Sequence, residues 1–259
     1  MEFNRDTVRK IAANARAAKE VWAGFENNRE LCECFHLRPT ASGITLVSTL
    51  PYAPMRGISV AIADLKPLLS EIVKKTDVLQ GIDEDKALNL LEGWGYKSRK
   101  SGSFLEENAQ ALFIQGMILQ QNMYNTISTG MCSSVNPGMY EGINFVASEL
   151  VLADKSSRFD IVGYKDGTLY IFEMKKDRSI PGLAQTAGYA KLINENKQYY
   201  LDVLNNYPQC SVHDFDKVAP IAVMQYAANS TSLLIKRAKE AGVGLWFFER
   251  AITLRKAIT

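Results

Sequence analysis

Residues 158–175 read Arg-Phe-Asp-Ile-Val-Gly-Tyr-Lys-Asp-Gly-Thr-Leu-Tyr-Ile-Phe-Glu-Met-Lys. The two apolar runs in this stretch favour neighbouring β-strands. The Asp166-Gly167 dipeptide between them favours a type I′ hairpin turn, which requires positive φ at both turn positions. Counting residues back from this turn places Asp160 opposite Glu173.

This pairing brings two carboxylates together on neighbouring strands. Opposed carboxylates destabilise a sheet, and the apolar residues around them predict burial, which strengthens the repulsion. A divalent cation held by Asp160 and Glu173 removes it, and such oxygen ligands suit Mg²⁺ or Mn²⁺. Lys175 projects on the same face as Glu173, where its ammonium can orient a water and stabilise charge on a phosphate. The alternative is that both acids lie at frayed strand ends and pair with Arg158, Lys175 or Lys176.

The rest of the chain predicts an α/β protein built on a mixed sheet. The polar residues 97–103 lack periodicity and predict a boundary between an N-terminal α+β region, residues 1–100, and a second region, residues 101–259. In the first region we predict helices over 6–30, 65–73 and 83–94 and extended chain over 32–62. In the second we predict a helix from 103, a long loop over 124–142, strands over 144–152, 159–164, 168–175, 219–225 and 243–248, and helices from 180, over 198–204 and over 232–241.

Composition excludes several classes of protein. The 259 residues include 30 basic and 28 acidic side chains, so the net charge of +2 gives no indication of a nucleic-acid partner. No apolar run approaches the roughly 18–20 residues that span a bilayer, and the N-terminus has no apolar signal region. We therefore predict a soluble, cytoplasmic protein with no membrane partner. Cys32 and Cys34 form the one close cysteine pair and no CxxC occurs, so no thiolate metal cluster is expected.

The hairpin residues resemble a known signature. Asp160, followed on the next strand by Glu173-Met174-Lys175, resembles the motif of the PD-(D/E)XK nucleases, the restriction endonuclease-like superfamily. Phe159 stands where that motif nominally has proline. Downstream, Gln185 and Tyr189 are four residues apart and share a helical face. In this order they resemble the QxxxY motif of the RecB-type branch, whose residues contact the nucleic-acid backbone near the metal.

The resemblance extends to residues outside the hairpin. Glu106 resembles the metal-site glutamate that such nucleases carry on the first core helix, and an equal alternative is a capping box with Ser103. Glu149, on the strand before the hairpin, is either a further metal ligand or an inward-facing carboxylate beside the metal. Three basic residues flank the hairpin and are candidates for phosphate contacts, with a solvated rim as the alternative: Arg158, Lys176 and Arg178.

The resemblance implies a restriction endonuclease-like core, a central mixed β-sheet flanked by helices, and a metal-dependent nuclease that hydrolyses phosphodiester bonds. DNA is the expected partner and Mg²⁺ or Mn²⁺ the expected cofactor. Lys175 orients the attacking water in this hypothesis, while Gln185 and Tyr189 complete the catalytic set by positioning the nucleic-acid strand. Exonuclease and endonuclease activities both fit these motifs, and a homo-oligomer is left open.

Two alternatives stand beside the nuclease. One is a catalytically inactive nuclease-fold protein that binds nucleic acid, and the other is a structural or interaction module with no nucleic-acid role. Residues 1–100 are expected to serve substrate selection, dimerisation or packing against the nuclease core.

Overall fold

A computed structural model of the chain describes residues 4–50, 52–81, 83–96, 105–119, 126–128, 134–135, 142–152, 158–175, 180–225 and 231–248. The helices in these residues are α1 (Arg5–Trp22), α2 (Arg29–Cys34), α3 (Ile62–Val73), α4 (Thr76–Gln80), α5 (Glu84–Gly93), α6 (Leu105–Leu119), α7 (Ile180–Glu195), α8 (Lys197–Leu204) and α9 (Thr231–Ala241). The strands are β1 (Phe35–Thr40), β2 (Gly43–Ser48), β3 (Gly57–Val60), β4 (Thr126–Ser128), β5 (Ser134–Val135), β6 (Asn144–Leu150), β7 (Phe159–Lys165), β8 (Thr168–Lys175), β9 (Lys217–Gln225) and β10 (Gly244–Phe248).

The larger sheet is mixed, in the order β5-β4-β10-β9-β8-β7-β6. Strand β7 runs antiparallel to both β6 and β8, whereas β8, β9 and β10 are parallel to one another. Parallel neighbours need a crossover connection, which α7 and α8 provide between β8 and β9, and α9 provides between β9 and β10. The predicted α/β class and mixed sheet are therefore confirmed.

The hairpin of β7 and β8 has the predicted register. Asp166 and Gly167 have φ of 45° and 74°, the positive values that a type I′ turn requires. The register then pairs Val162 with Ile171. A dipeptide that tolerates positive φ thus fixes which residues face each other along both strands.

Helices cover both faces of this sheet. On one face, α6 buries a cluster that includes Phe113 and Met117 against Phe172 and Trp246. On the other face, α1, α7 and α8 bury a second cluster around Val162 and Ile171, and α9 packs with α7 over the parallel strands. Burial of both faces explains why the hairpin strands read as nearly continuous apolar runs.

The N-terminal region forms a second, antiparallel sheet in the order β1-β2-β3, packed with helices α1 to α5 around its own apolar cluster. Polar contacts join this region to the larger sheet. His36 Nε2 lies 2.6 Å from Ser148 Oγ, and burial lowers the pKa of His36 to about 3, so the ring is neutral. The Lys19 ammonium donates to Ser211 Oγ over 2.7 Å.

Two sequence predictions about local structure are wrong. We predicted one helix over 6–30 followed by extended chain from 32, but residues 29–34 form a separate helix, α2. The Asn28 side chain accepts a hydrogen bond from the Leu31 amide at 2.7 Å and so begins this new helix. Strands β4 and β5 lie inside the predicted loop 124–142. Strand β4 pairs with β10, so its hydrogen bonds come from a strand more than a hundred residues later, which local composition does not reveal.

Among the described residues, none of the helices has both the length and the apolar character that crossing a membrane requires.

Candidate active site

Asp160 and Glu173 lie on adjacent strands of the hairpin, where the register continues from the pair of Ile161 with Phe172. Both are buried, with 6% and 2% of their surface exposed. The Met174 amide donates a hydrogen bond of 2.8 Å to Asp160 Oδ2. Glu173 Oε2 is buried and has no hydrogen-bond partner in the described part of the chain. A buried carboxylate oxygen without a hydrogen-bond partner lowers the stability of the fold. A ligand bound to this oxygen would remove that cost.

The two carboxylates are not readily ionised at the same time. Burial, and next the charge of Glu173, raise the pKa of Asp160 to about 7. Burial likewise raises the pKa of Glu173, against the opposing effect of Lys175. Near neutral pH the pair therefore holds a proton unless a cation compensates the second charge.

Lys175 completes the charged group on β8. Its Nζ lies 2.7 Å from Glu173 Oε1, and its side chain is 21% exposed. Burial lowers the pKa of Lys175, but the hydrogen bond to Glu173 and the nearby carboxylate charges outweigh burial, so the net shift is upward. The side chain is thus a stable ammonium with one end directed at the acidic pair.

Glu106 lies in the first turn of α6. Its charge raises the pKa values of both Asp160 and Glu173, but within the described residues no third acid is placed with this pair to hold a metal ion. The neighbouring Glu107 contacts Arg56 instead. Ser103, the partner in the alternative capping box, lies outside the described residues.

Gln185 and Tyr189 face the hairpin from α7. Gln185 Nε2 donates to the Tyr189 hydroxyl over 2.5 Å, and the Tyr189 ring packs edge-on against Phe159 with centroids 4.7 Å apart. Burial, and then the charge of Glu173, raise the pKa of Tyr189. The structure therefore brings this pair beside the acidic group, with Gln185 exposed and Tyr189 buried.

Glu149 is not brought into this group. It has a φ of 48°, and its carboxylate is held by Arg38 and Arg158, with Arg158 Nη1 at 3.2 Å from Oε1. The geometry thus favours an ion-pair role for Glu149 over a role as metal ligand. Arg158, a candidate for phosphate contact, pairs with Glu149 in this structure. Lys176 and Arg178 lie outside the described residues.

The acidic pair offers oxygen ligands to a divalent cation. Within the described ranges, no set of three or more His, Cys, Asp or Glu side chains is placed to hold a metal ion. Mg²⁺, however, is commonly held by only one or two carboxylates, with water at its other positions. Asp160 and Glu173 supply two such ligands, and the unpartnered Glu173 Oε2 leaves one oxygen available. The donor set therefore fits Mg²⁺ or Mn²⁺.

Sequence reasoning missed the arginines of the N-terminal region. Arg38 contacts Glu149, and Arg56 contacts Glu107. Each lies at least 50 residues from its partner, in a region where the sequence offers no motif, so no local signal could have indicated either contact. In comparisons with known proteins, no family model, curated protein or solved structure matches this chain.

Proposed function

We propose that this protein is a metal-dependent nuclease that hydrolyses phosphodiester bonds, with DNA as its substrate. The observation that carries the proposal is the buried Asp160–Glu173 pair with the Lys175 ammonium against it. A structural ion pair would neutralise each carboxylate, whereas here one oxygen of Glu173 has no partner in the described residues. Strongly perturbed acids that cluster with a lysine are a recurrent feature of catalytic sites.

The order of elements supports a restriction endonuclease-like core. Helix α6 precedes an antiparallel run of three strands, β6, β7 and β8, and helix α7 follows directly. The acidic residues lie on the second and third strands of this run, and Gln185 and Tyr189 lie on the helix that follows. This arrangement agrees with the PD-(D/E)XK and QxxxY resemblance in the sequence.

Each residue has a distinct task in this proposal. Asp160 and Glu173 hold Mg²⁺ or Mn²⁺, and the charge of Glu106 acts on both carboxylates. When bound, the cation activates a water and offsets the charge that develops on the phosphate. Lys175 orients the attacking water and keeps its proton, since its pKa is raised. Its fixed ammonium also stabilises negative charge on the phosphate without reorganisation.

Gln185 and Tyr189 on α7 position the nucleic-acid strand. Gln185 is exposed at the edge of the site, and its amide is held by the Tyr189 hydroxyl. An amide in a fixed position can contact the phosphate backbone without reading sequence. We therefore assign these two residues to strand positioning.

The direct test is incubation of the protein with linear and circular DNA, single- and double-stranded, in the presence of Mg²⁺, Mn²⁺ or EDTA. We expect metal-dependent cleavage that Glu173→Gln abolishes. A matched control is Glu195→Gln, because Glu195 is an exposed acid at the end of α7 that pairs with Lys191. Cleavage that persists in EDTA, or in Glu173→Gln at the wild-type rate, contradicts the proposal. Degradation of linear DNA alone identifies an exonuclease.

A further inference from the structure

Glu149 lies on β6 beside the acidic pair, but its carboxylate contacts other residues. Leu150 pairs with Phe159 in the register of β6 and β7, so Glu149 and Asp160 are level on neighbouring antiparallel strands. Glu149 has a φ of 48°, a conformation that residues other than glycine keep only where their surroundings hold them. The contacts of this carboxylate therefore define a second charged group next to the candidate metal site.

Two arginines from distant parts of the chain share the Glu149 carboxylate. Arg38 on β1 contacts Oε2, and Arg158, directly before β7, contacts Oε1 at 3.2 Å. The Arg38 side chain is 19% exposed, whereas that of Arg158 is 56% exposed. One carboxylate neutralises one guanidinium, so the three side chains together carry a charge of +1. Because charges attract each other more strongly where water is excluded, Arg38 neutralises Glu149 and the surplus charge lies at the exposed Arg158.

Contacts next to this group fix β1 against β6. His36 Nε2 lies 2.6 Å from Ser148 Oγ, and both residues are fully buried. The His36 ring also packs edge-on against Phe145, with centroids 5.0 Å apart. Arg38 therefore reaches Glu149 from a fixed strand, so the N-terminal region determines where this carboxylate lies.

Arg158 and Lys175 lie on opposite sides of the acidic pair. The strands follow one another in the order β8-β7-β6. Lys175 contacts Glu173 on β8, whereas Arg158 contacts Glu149 on β6. The contact of Arg158 uses one nitrogen, Nη1, of a guanidinium that has five N–H donors. Donors therefore remain for a phosphate at this side of the pair.

We propose that Arg158 binds a phosphate next to the one that is cleaved, and that Arg38 makes this possible by neutralising Glu149. The inference rests on the proposed function. A nucleic-acid strand that passes over the site from β8 to β6 places one phosphate at the metal and Lys175 and its neighbour at Arg158. The N-terminal region thereby acquires a task that its sequence did not reveal, since Arg38 leaves Arg158 with a free positive charge.

The test is the salt dependence of DNA binding by the full chain in EDTA, with a labelled single-stranded oligonucleotide and the matching duplex. Each phosphate that a protein cation neutralises contributes about 0.7 to the slope of log affinity against log salt concentration for a single strand, and about 0.9 for a duplex. We expect Arg158→Met to reduce the slope by this amount. Arg38→Met should reduce it too, although Arg38 is shielded, because Glu149 then neutralises Arg158. Glu149→Gln should retain or steepen the slope, since both arginines keep their charge. Arg9→Met is the matched control and should keep the wild-type slope, because Arg9 is an exposed arginine that pairs with Asp6 on α1.

The outcomes separate this inference from the proposed function. A wild type that neither binds DNA nor cleaves it with Mg²⁺ overturns both. If the wild type cleaves, an unchanged salt slope in Arg158→Met, for binding in EDTA and for kcat/KM with Mg²⁺, overturns the phosphate contact alone. A wild-type slope in Arg38→Met overturns the role of Arg38, and an equal loss in Arg9→Met overturns the assignment of the contact to Arg158. Thermal unfolding verifies that each variant folds. Should Arg38→Met not fold, Glu149→Gln tests the same group, and a reduced slope in that variant contradicts the proposal.

Discussion

The ammonium of Lys175 lies 2.7 Å from Glu173 Oε1, while Glu173 Oε2 is buried without a hydrogen-bond partner in the described residues. One carboxylate thus has one oxygen committed to a fixed cation and one oxygen available to another ligand. In the proposed nuclease, this division would let the same side chain hold a metal and align the lysine beside it.

Lys175 is predicted to act in catalysis and not in metal binding. We expect Lys175→Met to reduce DNA cleavage by about 100-fold or more, the usual effect of removing a preorganised group that stabilises developing charge. Mn²⁺ affinity should be retained or increased, because the competing ammonium leaves Glu173. Cleavage rates and Mn²⁺ titration measure the two effects. Lys191→Met, a change at an exposed lysine on α7, is the control, and an equal loss of metal binding and cleavage in Lys175→Met contradicts the assignment.

Metal binding is predicted to strengthen as pH rises through about 7, because the pKa of Asp160 is raised to about 7 by burial and by Glu173. Below this value, the cation must displace a proton from the pair. Titration with Mn²⁺ at pH 6 and pH 8 should show tighter binding at pH 8, with proton release visible as a dependence of the heat on the buffer. Affinity that does not change with pH contradicts the prediction.

The metal-free protein is predicted to lose stability as pH rises. A carboxyl whose pKa is raised in the folded state stabilises the fold fully below its ordinary value near 4, and this contribution is lost as pH rises through about 7. Asp160→Asn removes the second charge while its side-chain oxygen can still accept from Met174. At pH 8 we expect this variant to unfold at higher denaturant concentration, by on the order of 1 kcal/mol in unfolding free energy, while it no longer binds Mn²⁺. Equal stability of both proteins at pH 5 and pH 8 contradicts the prediction.

Glu149 is predicted to stabilise the fold without binding the metal. Glu149→Gln leaves Arg38 without its counter-charge, and we expect a loss of about 1–3 kcal/mol in unfolding free energy. Mn²⁺ affinity should stay within about twofold of the wild type, unlike that of Glu173→Gln. A loss of Mn²⁺ affinity as large as that of Glu173→Gln would instead identify Glu149 as a ligand.

The Tyr189 hydroxyl is predicted to position the nucleic acid through Gln185. Tyr189→Phe keeps the ring contact with Phe159 and removes one hydrogen bond, so we expect a stability loss of about 1 kcal/mol or less. The Michaelis constant for DNA should rise several-fold, while Mn²⁺ affinity stays the same. Tyr207→Phe is the control: Tyr207 is buried in the same apolar cluster as Tyr189, and its hydroxyl has no hydrogen-bond partner in the described residues. A Michaelis constant unchanged in Tyr189→Phe contradicts the role.

The sequence predicted the part of the site that local rules determine. The Asp166-Gly167 turn sets the hairpin register by backbone conformation alone, so the opposition of Asp160 and Glu173 follows by counting. Helical spacing likewise predicted that Gln185 and Tyr189 share a face. Contacts between distant segments have no such local rule, and for this reason the arginine that holds Glu107 and the pairing of β4 with β10 were not predicted. The interpretation of Glu149 as a ligand relied on its place on the strand before the hairpin, whereas its partners Arg38 and Arg158 lie elsewhere in the sequence.

Helix α1 contributes Val8 and Ile11 to the same buried cluster as Tyr200 and the hairpin, and Arg5 donates to the Tyr199 hydroxyl across 194 positions of sequence. During synthesis, Val8 and Ile11 leave the ribosome long before this surface exists, so this part of α1 stays exposed until α8 has been made, whereas Ala18 and Trp22 pack in the N-terminal cluster. Contacts between such distant segments slow folding, and an exposed apolar face invites association with other chains in the meantime. Docking of the first half of α1 is therefore a late event in folding, and this segment is the one that a chaperone would shield from association.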